Sequence, residues 1–267
     1  MRRVAADIVM PRYQNLASHE ISEKAADDLV TIADKESEIA LAEGLASILP
    51  EAAIVGEEAV AADAAVLDRL GAGMQWIIDP IDGTGNFAAG RAPFGLMIAL
   101  IADGETQAGW LLDPLTGRLC HAALGGGAYV NGERIDARGT GEALPVAGLS
   151  VLFMNPADRT EVLRRAEGKL TMMDIPRCAA EQYPRIVLGV NDIAVFERTL
   201  PWDHAPGALF VNEAGGKVAR PDGAPYRIAA NAGRGLIAAC SPAMWDSAAH
   251  ILYGGKLPNK NLDPFEI

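Results

Sequence analysis

The stretch Trp76-Ile77-Ile78-Asp79-Pro80-Ile81-Asp82-Gly83-Thr84-Gly85-Asn86-Phe87 changes character within one residue. It begins as an apolar run of strand type, then sets two aspartates either side of a Pro-Ile pair and follows them with Gly-Thr. Pro80 forces Asp79 into an extended conformation and removes a backbone donor. Gly83 permits a tight turn and lets its N–H approach a ligand closely. Two carboxylates crowded at a strand end repel each other unless a cation lies between them. Hard divalent ions such as Mg²⁺ take oxygen ligands, backbone carbonyls included, and Ile81 offers a carbonyl between the two acids. A plain strand ending in an Asp-Gly hairpin turn leaves the second Asp, the intervening Pro and the following Thr unexplained.

Three more segments share this mixture of short apolar run and acid: Asp28-Leu29-Val30-Thr31-Ile32-Ala33-Asp34, Ile54-Val55-Gly56-Glu57-Glu58, and Pro201-Trp202-Asp203-His204-Ala205-Pro206-Gly207 running on to Asn212-Glu213-Ala214-Gly215-Gly216. Together, and in this order, the four resemble the signature of the inositol monophosphatase family, a branch of the Mg²⁺-dependent, lithium-sensitive sugar phosphatases. The resemblance spans most of the chain. It implies a layered αβαβα sandwich of mixed α/β (α+β) class, two or three Mg²⁺ ions, a small phosphorylated metabolite as substrate, and a homodimer.

Roles carry over residue by residue. Glu57, Asp79 and the carbonyl of Ile81 resemble the ligands of a first metal; Asp79, Asp82 and Asp203 resemble those of a second. Asp203 also stands where a helix N-cap would, and an N-cap carboxylate keeps a lone pair for a cation. Gly83 and Thr84 open a short helical turn whose N–H groups would hold a phosphate. Thr84 resembles the residue that hydrogen-bonds the attacking water, with Glu57 and Asp34 behind it. The implied mechanism is direct, in-line hydrolysis by a metal-activated water. On the substrate side, Glu197 resembles an acid that contacts a substrate hydroxyl, although the segment from it to Trp202-Asp203 is one residue shorter than usual. Arg177-Cys178-Ala179-Ala180 falls where many members carry Gly-Ser/Thr-Ala-Ala, so Ala179 lines the expected sugar site and Arg177 replaces a glycine. His204-Ala205-Pro206-Gly207 departs from the usual Ala-Ala-Gly, a change that a helix's first turn tolerates.

Inositol monophosphate leads as substrate; histidinol phosphate, fructose 1,6-bisphosphate and 3′-phosphoadenosine nucleotides use the same metal core in related proteins. An aspartyl-phosphate mechanism needs its nucleophilic Asp two positions before the second Asp, where this chain has Pro80. A catalytically silent binding or regulatory protein is the alternative from another class, and retention of Glu57, Asp79, Asp82, Thr84 and Asp203 argues against it.

With 35 acidic and 23 basic residues the net charge is −12, which argues against nucleic-acid or anionic-membrane binding. An acidic enzyme of phosphate esters then needs a cation at its site. Cys120, Cys178 and Cys240 are widely spaced, with no CxxC pattern, and read as buried thiols of a reducing cytosol. Met1-Arg2-Arg3 has no apolar run behind it, and Phe94–Ala102 is too short to span a bilayer. A soluble cytoplasmic protein is the expectation.

At 267 residues the chain can form one large unit or two packed halves. The halves are expected at 1–143, carrying the metal and phosphate motifs, and 144–267, closing the site, within one compact unit. Spacing predicts helix over 4–20 divided by Pro11, strand at Leu29–Thr31, and an amphipathic helix over Lys35–Leu49 with Ile39, Leu41, Leu45 and Ile48 inward. Strand at Ala53–Val55 and helix over Ala59–Leu70 follow. Turn signals such as Ala102-Asp103-Gly104 and Asn131-Gly132-Glu133 predict an antiparallel meander after Phe87. Beyond Gly148 strands are expected at Leu149–Met154 and Leu170–Ile175. Helices are expected from Asp158, near Ala179–Leu188, and over Asp203–Ala214 and Met244–Tyr253.

Overall fold

The computed structural model describes residues 1–25, 28–228 and 234–254. Helix α1 (Arg2–Val4) runs into a π-helical turn over Ala5–Val9 and stops short of Pro11, whose ring excludes a helical interior. A hairpin of β1 (Ile21–Ala25) and β2 (Asp28–Thr31) follows. Strand β1 was not foreseen, because Ile21-Ser22-Glu23-Lys24-Ala25 has one large apolar residue and no alternation to reveal it.

Helix α2 (Ile32–Ile48) starts in a capping box: the Thr31 hydroxyl accepts from Ala33 N, while the Asp34 carboxylate accepts from Thr31 N. Its buried face is Asp34, Ser37, Glu38, Leu41 and Leu45, at helical spacing. Ile39 and Ile48, expected inside, are 60% and 71% exposed. Apolar periodicity misplaced the face by treating carboxylates as solvent residues.

Strand β3 (Ala53–Gly56) leads to α3 (Glu57–Ala62). The longer helix expected here breaks at Asp63, whose side chain accepts from Ala65 N and caps a separate 3₁₀ turn. Strand β4 (Met74–Asp82), helix α4 (Thr84–Ala88), and β5 (Gly95–Ala102), β6 (Glu105–Leu112), β7 (Leu119–Ala123), β8 (Gly127–Val130) and β9 (Glu133–Ile135) complete a seven-stranded sheet in chain order. Only β3 and β4 run parallel; the rest is the expected meander. Asp103-Gly104 and Asn131-Gly132 all have positive φ, as two-residue hairpin turns demand.

The second sheet has the order β11-β10-β12-β14-β13. It is built from β10 (Val146–Ser150), β11 (Thr171–Met172), β12 (Ile193–Phe196), β13 (Lys217–Ala219) and β14 (Leu236–Ala239), with α5 (Pro156–Ala166), α6 (Ala179–Val187), α7 (Pro201–Glu213) and α8 (Pro242–Tyr253) between and after them. Strand β10 ends at Ser150, not Met154, leaving Leu152 and Phe153 exposed. Strand β11 is a two-residue edge.

One core packs α2 and the N-terminal helical turns on the outer face of the first sheet, through Leu41, Leu45, Trp76, Ile78 and Leu96. A second packs α6 and α7 between the two sheets, through Met97, Leu111, Tyr183, Ile186, Phe210 and Ala238. A third packs α5 and α8 on the far face of the second sheet. The result is a five-layer αβαβα sandwich, with the middle helices shared by both sheets. No helix among the described residues is long and apolar enough to cross a membrane.

Candidate active site

The parallel register of β3 and β4 sets Gly56 beside Ile78, so the next residues along each chain, Glu57 and Asp79, emerge side by side. Side chains alternate along a strand, which puts Asp79 on the face of Ile77, and Ile77 packs against Leu200, Trp202 and Ala205. That face meets the first turn of α7, which carries Asp203. Glu57, Asp79 and Asp203 each offer a carboxylate oxygen, all within 4.8 Å of one another. Burial, then the charges of Glu57, Asp82 and Asp203, hold the Asp79 carboxyl well above the usual carboxylate range. Its Oδ1 is buried with no hydrogen-bond partner. An all-oxygen donor set with an orphaned, crowded carboxylate oxygen fits a hard divalent cation such as Mg²⁺.

Asp82 is three residues from Asp79 and would face the other way in a regular strand. A bulge corrects this: Asp79 pairs with Met97 but Asp82 with Gly95, so Pro80-Ile81 inserts one extra residue. The Asp82 Oδ2 then accepts from Ala180 N of α6 at 2.5 Å. Asp82 lies outside the close group of three, near enough for its charge to act on Asp79. Burial pushes its own carboxyl up to about 6 against that hydrogen bond. Gly83 follows at φ 83°, and a Cβ there would lie 3.1 Å from Pro93 O and 3.2 Å from Cys178 Cβ.

Thr84 Oγ1 lies 3.1 Å from Asp34 Oδ1 and 2.9 Å from the Ile81 carbonyl oxygen. With a single proton it donates to one of them at a time. Asp34 Oδ2 accepts from both Thr31 Oγ1 (2.5 Å) and Thr31 N (2.8 Å), so the capping box of α2 also aims Asp34 at Thr84. Burial outweighs these bonds and pushes the Asp34 carboxyl up to about 7. Four residues on, Glu38 accepts from Glu58 N and Ala59 N at 2.8 Å each, clamping the turn that presents Glu57. Burial pushes Glu38 up to about 7 as well. Glu38 was missed in the sequence; its signal was the spacing of four from Asp34, which puts both acids on one helix face.

These groups open onto a cavity of about 440 Å³ between the two sheets. Glu57, Asp79, Ile81, Asp82, Gly83, Thr84 and Asp203 line its acidic end, and Ala179 lines it at the start of α6. Arg177, Arg198 and Phe153 line it as well. Glu197 does not; its neighbours Phe196 and Arg198 do. The Glu197 carboxyl is buried and pushed up by that burial, with Arg234 and then Asp158 as its charged surroundings. It therefore faces the α5 and α8 layer, away from the cavity, and the expected contact with a substrate hydroxyl has no geometric basis here. His204 is buried, accepts from Tyr183 O–H at Nδ1 (2.8 Å) and donates from Nε2 to the Arg198 carbonyl (3.0 Å), fixing how the chain leaves β12. Burial lowers the His204 imidazole to about 3, so it is neutral, with the proton on Nε2.

The inositol monophosphatase family model matches residues 1–252. The chain is 30% identical over 246 residues to the chloroplastic phosphatase IMPL1 of Arabidopsis thaliana, covering 85% of this chain and 62% of the relative's length. It is 31% identical over 191 residues to a fructose-1,6-bisphosphatase/inositol-1-monophosphatase of Thermotoga maritima, covering 72% and 71% of the two chains. A solved Thermotoga maritima IMPase superposes with a TM-score of 0.77 at 26% identity, covering 94% of this chain and 93% of that one.

Proposed function

The chain belongs to the inositol monophosphatase family and is a phosphoric monoester hydrolase, and we propose that it is Mg²⁺-dependent, lithium-sensitive and directed at a small phosphorylated polyol or sugar, the class to which inositol 1-phosphate belongs. The observation that carries this reading is the convergence of Glu57, Asp79 and Asp203 within 4.8 Å around an unpartnered Asp79 oxygen. Glu57, Asp79 and the Ile81 carbonyl would hold one ion; Asp79, Asp203 and the remaining Asp82 oxygen would hold a second. Bound Mg²⁺ supplies Lewis acidity toward the phosphoryl oxygens and lowers the pKa of water.

The chain's own groups do the rest. Thr84 Oγ1, donating toward Asp34 or Ile81, keeps its lone pairs for a hydrogen of the attacking water and so fixes that water's orientation. As the water oxygen bonds to phosphorus and the P–O bond to the organic group breaks, one water proton passes toward Asp34, whose raised pKa suits it as acceptor, and the leaving oxygen takes a proton from solvent water to depart as the alcohol. The first N–H groups of α4 have no intrahelical acceptor and would bind phosphate oxygens. Gly83, at positive φ, brings them close. Ala179 and the mouth of the cavity receive the alcohol. A cytoplasmic homodimer belongs to the same reading, on the strength of family membership.

The test is phosphate release from inositol 1-phosphate by purified protein, with Mg²⁺, with Mg²⁺ plus Li⁺, and with excess EDTA. Release that requires Mg²⁺ and falls with Li⁺ is expected. Full turnover in EDTA would refute the metal assignment.

A further inference from the structure

We propose that Arg177 and Arg198 form a second anion-binding wall in the active-site cavity, and that the preferred substrate is a phosphate ester whose organic part bears another negative charge. This rests on the phosphatase reading above and concerns only which ester is chosen.

The two arginines reach the cavity from different elements. Arg177 begins the turn into α6 in a left-handed conformation, φ 52°. An L residue with a Cβ pays for that conformation, and such outliers persist where the surroundings over-determine them. Asn86 supplies the constraint: its Nδ2 donates to Pro176 O at 3.0 Å and to Pro93 O at 2.8 Å, tying the Arg177 turn to α4. A glycine would sit there without strain.

Arg198 follows β12 and is half-buried. Its guanidinium carbon lies 4.6 Å from the centroid of the Phe153 ring, over the ring face. Its carbonyl can only accept, so it holds the His204 proton on Nε2, and Nδ1 in turn accepts from the Tyr183 hydroxyl. The side chain that enters the cavity from this segment is thus a cation, where the acid Glu197 had been expected. A guanidinium is a planar fork of donors suited to carboxylate and phosphate oxygens. A guanidinium is permanently charged and has no lone pair for a metal, so both arginines are left to meet anionic groups of the ester.

The experiment measures kcat/KM with Mg²⁺ for three esters: inositol 1-phosphate, neutral beyond its ester phosphate; fructose 1,6-bisphosphate, with a second phosphate; and 3-phosphoglycerate, with a carboxylate. The parent protein is expected to favour at least one doubly charged ester over inositol 1-phosphate, and the two charged esters tell phosphate from carboxylate. In Arg198→Gln and Arg177→Gly that preference ratio should fall ~10- to 100-fold, chiefly through KM, as loss of hydrogen bonds to a charged group predicts. Arg198→Lys should restore part of it. The ratio is insensitive to a general loss of turnover, and Arg177→Gly relieves strain at an exposed turn, so that variant tests the wall even if Arg198→Gln folds poorly. An unchanged ratio in Arg177→Gly, or a parent that prefers inositol 1-phosphate, overturns the proposal. Absence of Mg²⁺-dependent release from all three esters would instead overturn the phosphatase reading.

Discussion

Gly56→Ala probes the joint between fold and chemistry. Gly56 ends β3 with ordinary extended dihedrals, so alanine brings no backbone strain. The obstacle is Glu38: a Cβ at Gly56 would lie 2.2 Å from Glu38 Cδ and 2.4 Å from both carboxylate oxygens. The carboxylate must withdraw, breaking its 2.8 Å bonds to Glu58 N and Ala59 N and leaving those donors without acceptors. At pH 8, above the raised pKa of Glu38, hydrogen bonds to its charged carboxylate are each worth ~1.5–3 kcal/mol, and the alanine recovers ~0.4–1 kcal/mol through the unfolded chain. The net loss is about 2–5.6 kcal/mol. At about 2–4 °C per kcal/mol for chains near this size, the melting temperature should fall by roughly 4–22 °C. Because Glu57 leads the turn that Glu38 clamps, the Mg²⁺ concentration for half-maximal phosphate release should rise as well. Calorimetry and a Mg²⁺ titration measure the two effects. The control is Gly44→Ala in α2, where a Cβ meets nothing within 4 Å and helix propensity should add ~0.5–1 kcal/mol. If Gly56→Ala melts with the parent protein while Gly44→Ala is stabilised, the Glu38 clamp does not bear on stability.

Two further outcomes follow from the buried acids. Thr84→Ala should lower kcat at least ~10²-fold while Thr84→Ser keeps most of it, because the hydroxyl and not the methyl group meets Asp34 and Ile81; equal rates for the two variants would remove the hydroxyl from the mechanism. In Mg²⁺-free protein, Asp34 and Glu38 (each raised to about 7) and Asp82 (to about 6) hold protons that the unfolded chain has already lost above about pH 4. Stability should therefore fall as pH rises from about 4 to 7, by up to ~1.4 kcal/mol per pH unit for each retained proton, then level off; a urea midpoint that rises over that range contradicts the burial of these groups.

Four short segments made the family and layered fold legible because each is local: the residues that bind and turn lie within a few positions of one another. The meander was legible for the same reason, since Asp103-Gly104 and Asn131-Gly132 specify hairpins through their own backbone preferences. The inward face of α2 was not. Ile39 and Ile48 look like core by periodicity, yet Asp34 and Glu38 occupy that face, because they serve groups 50 and 20 residues away in Thr84 and Glu58. Likewise the sequence presents Glu197 and Arg198 as equal neighbours, and nothing local says which enters the cavity. That choice falls to the Tyr183–His204 pair gripping the Arg198 carbonyl, together with a Phe153 ring placed by a loop from another strand. Local chemistry fixes what a segment is able to do; which side chain faces the substrate depends on packing between elements distant in the chain, and only the tertiary structure contains it.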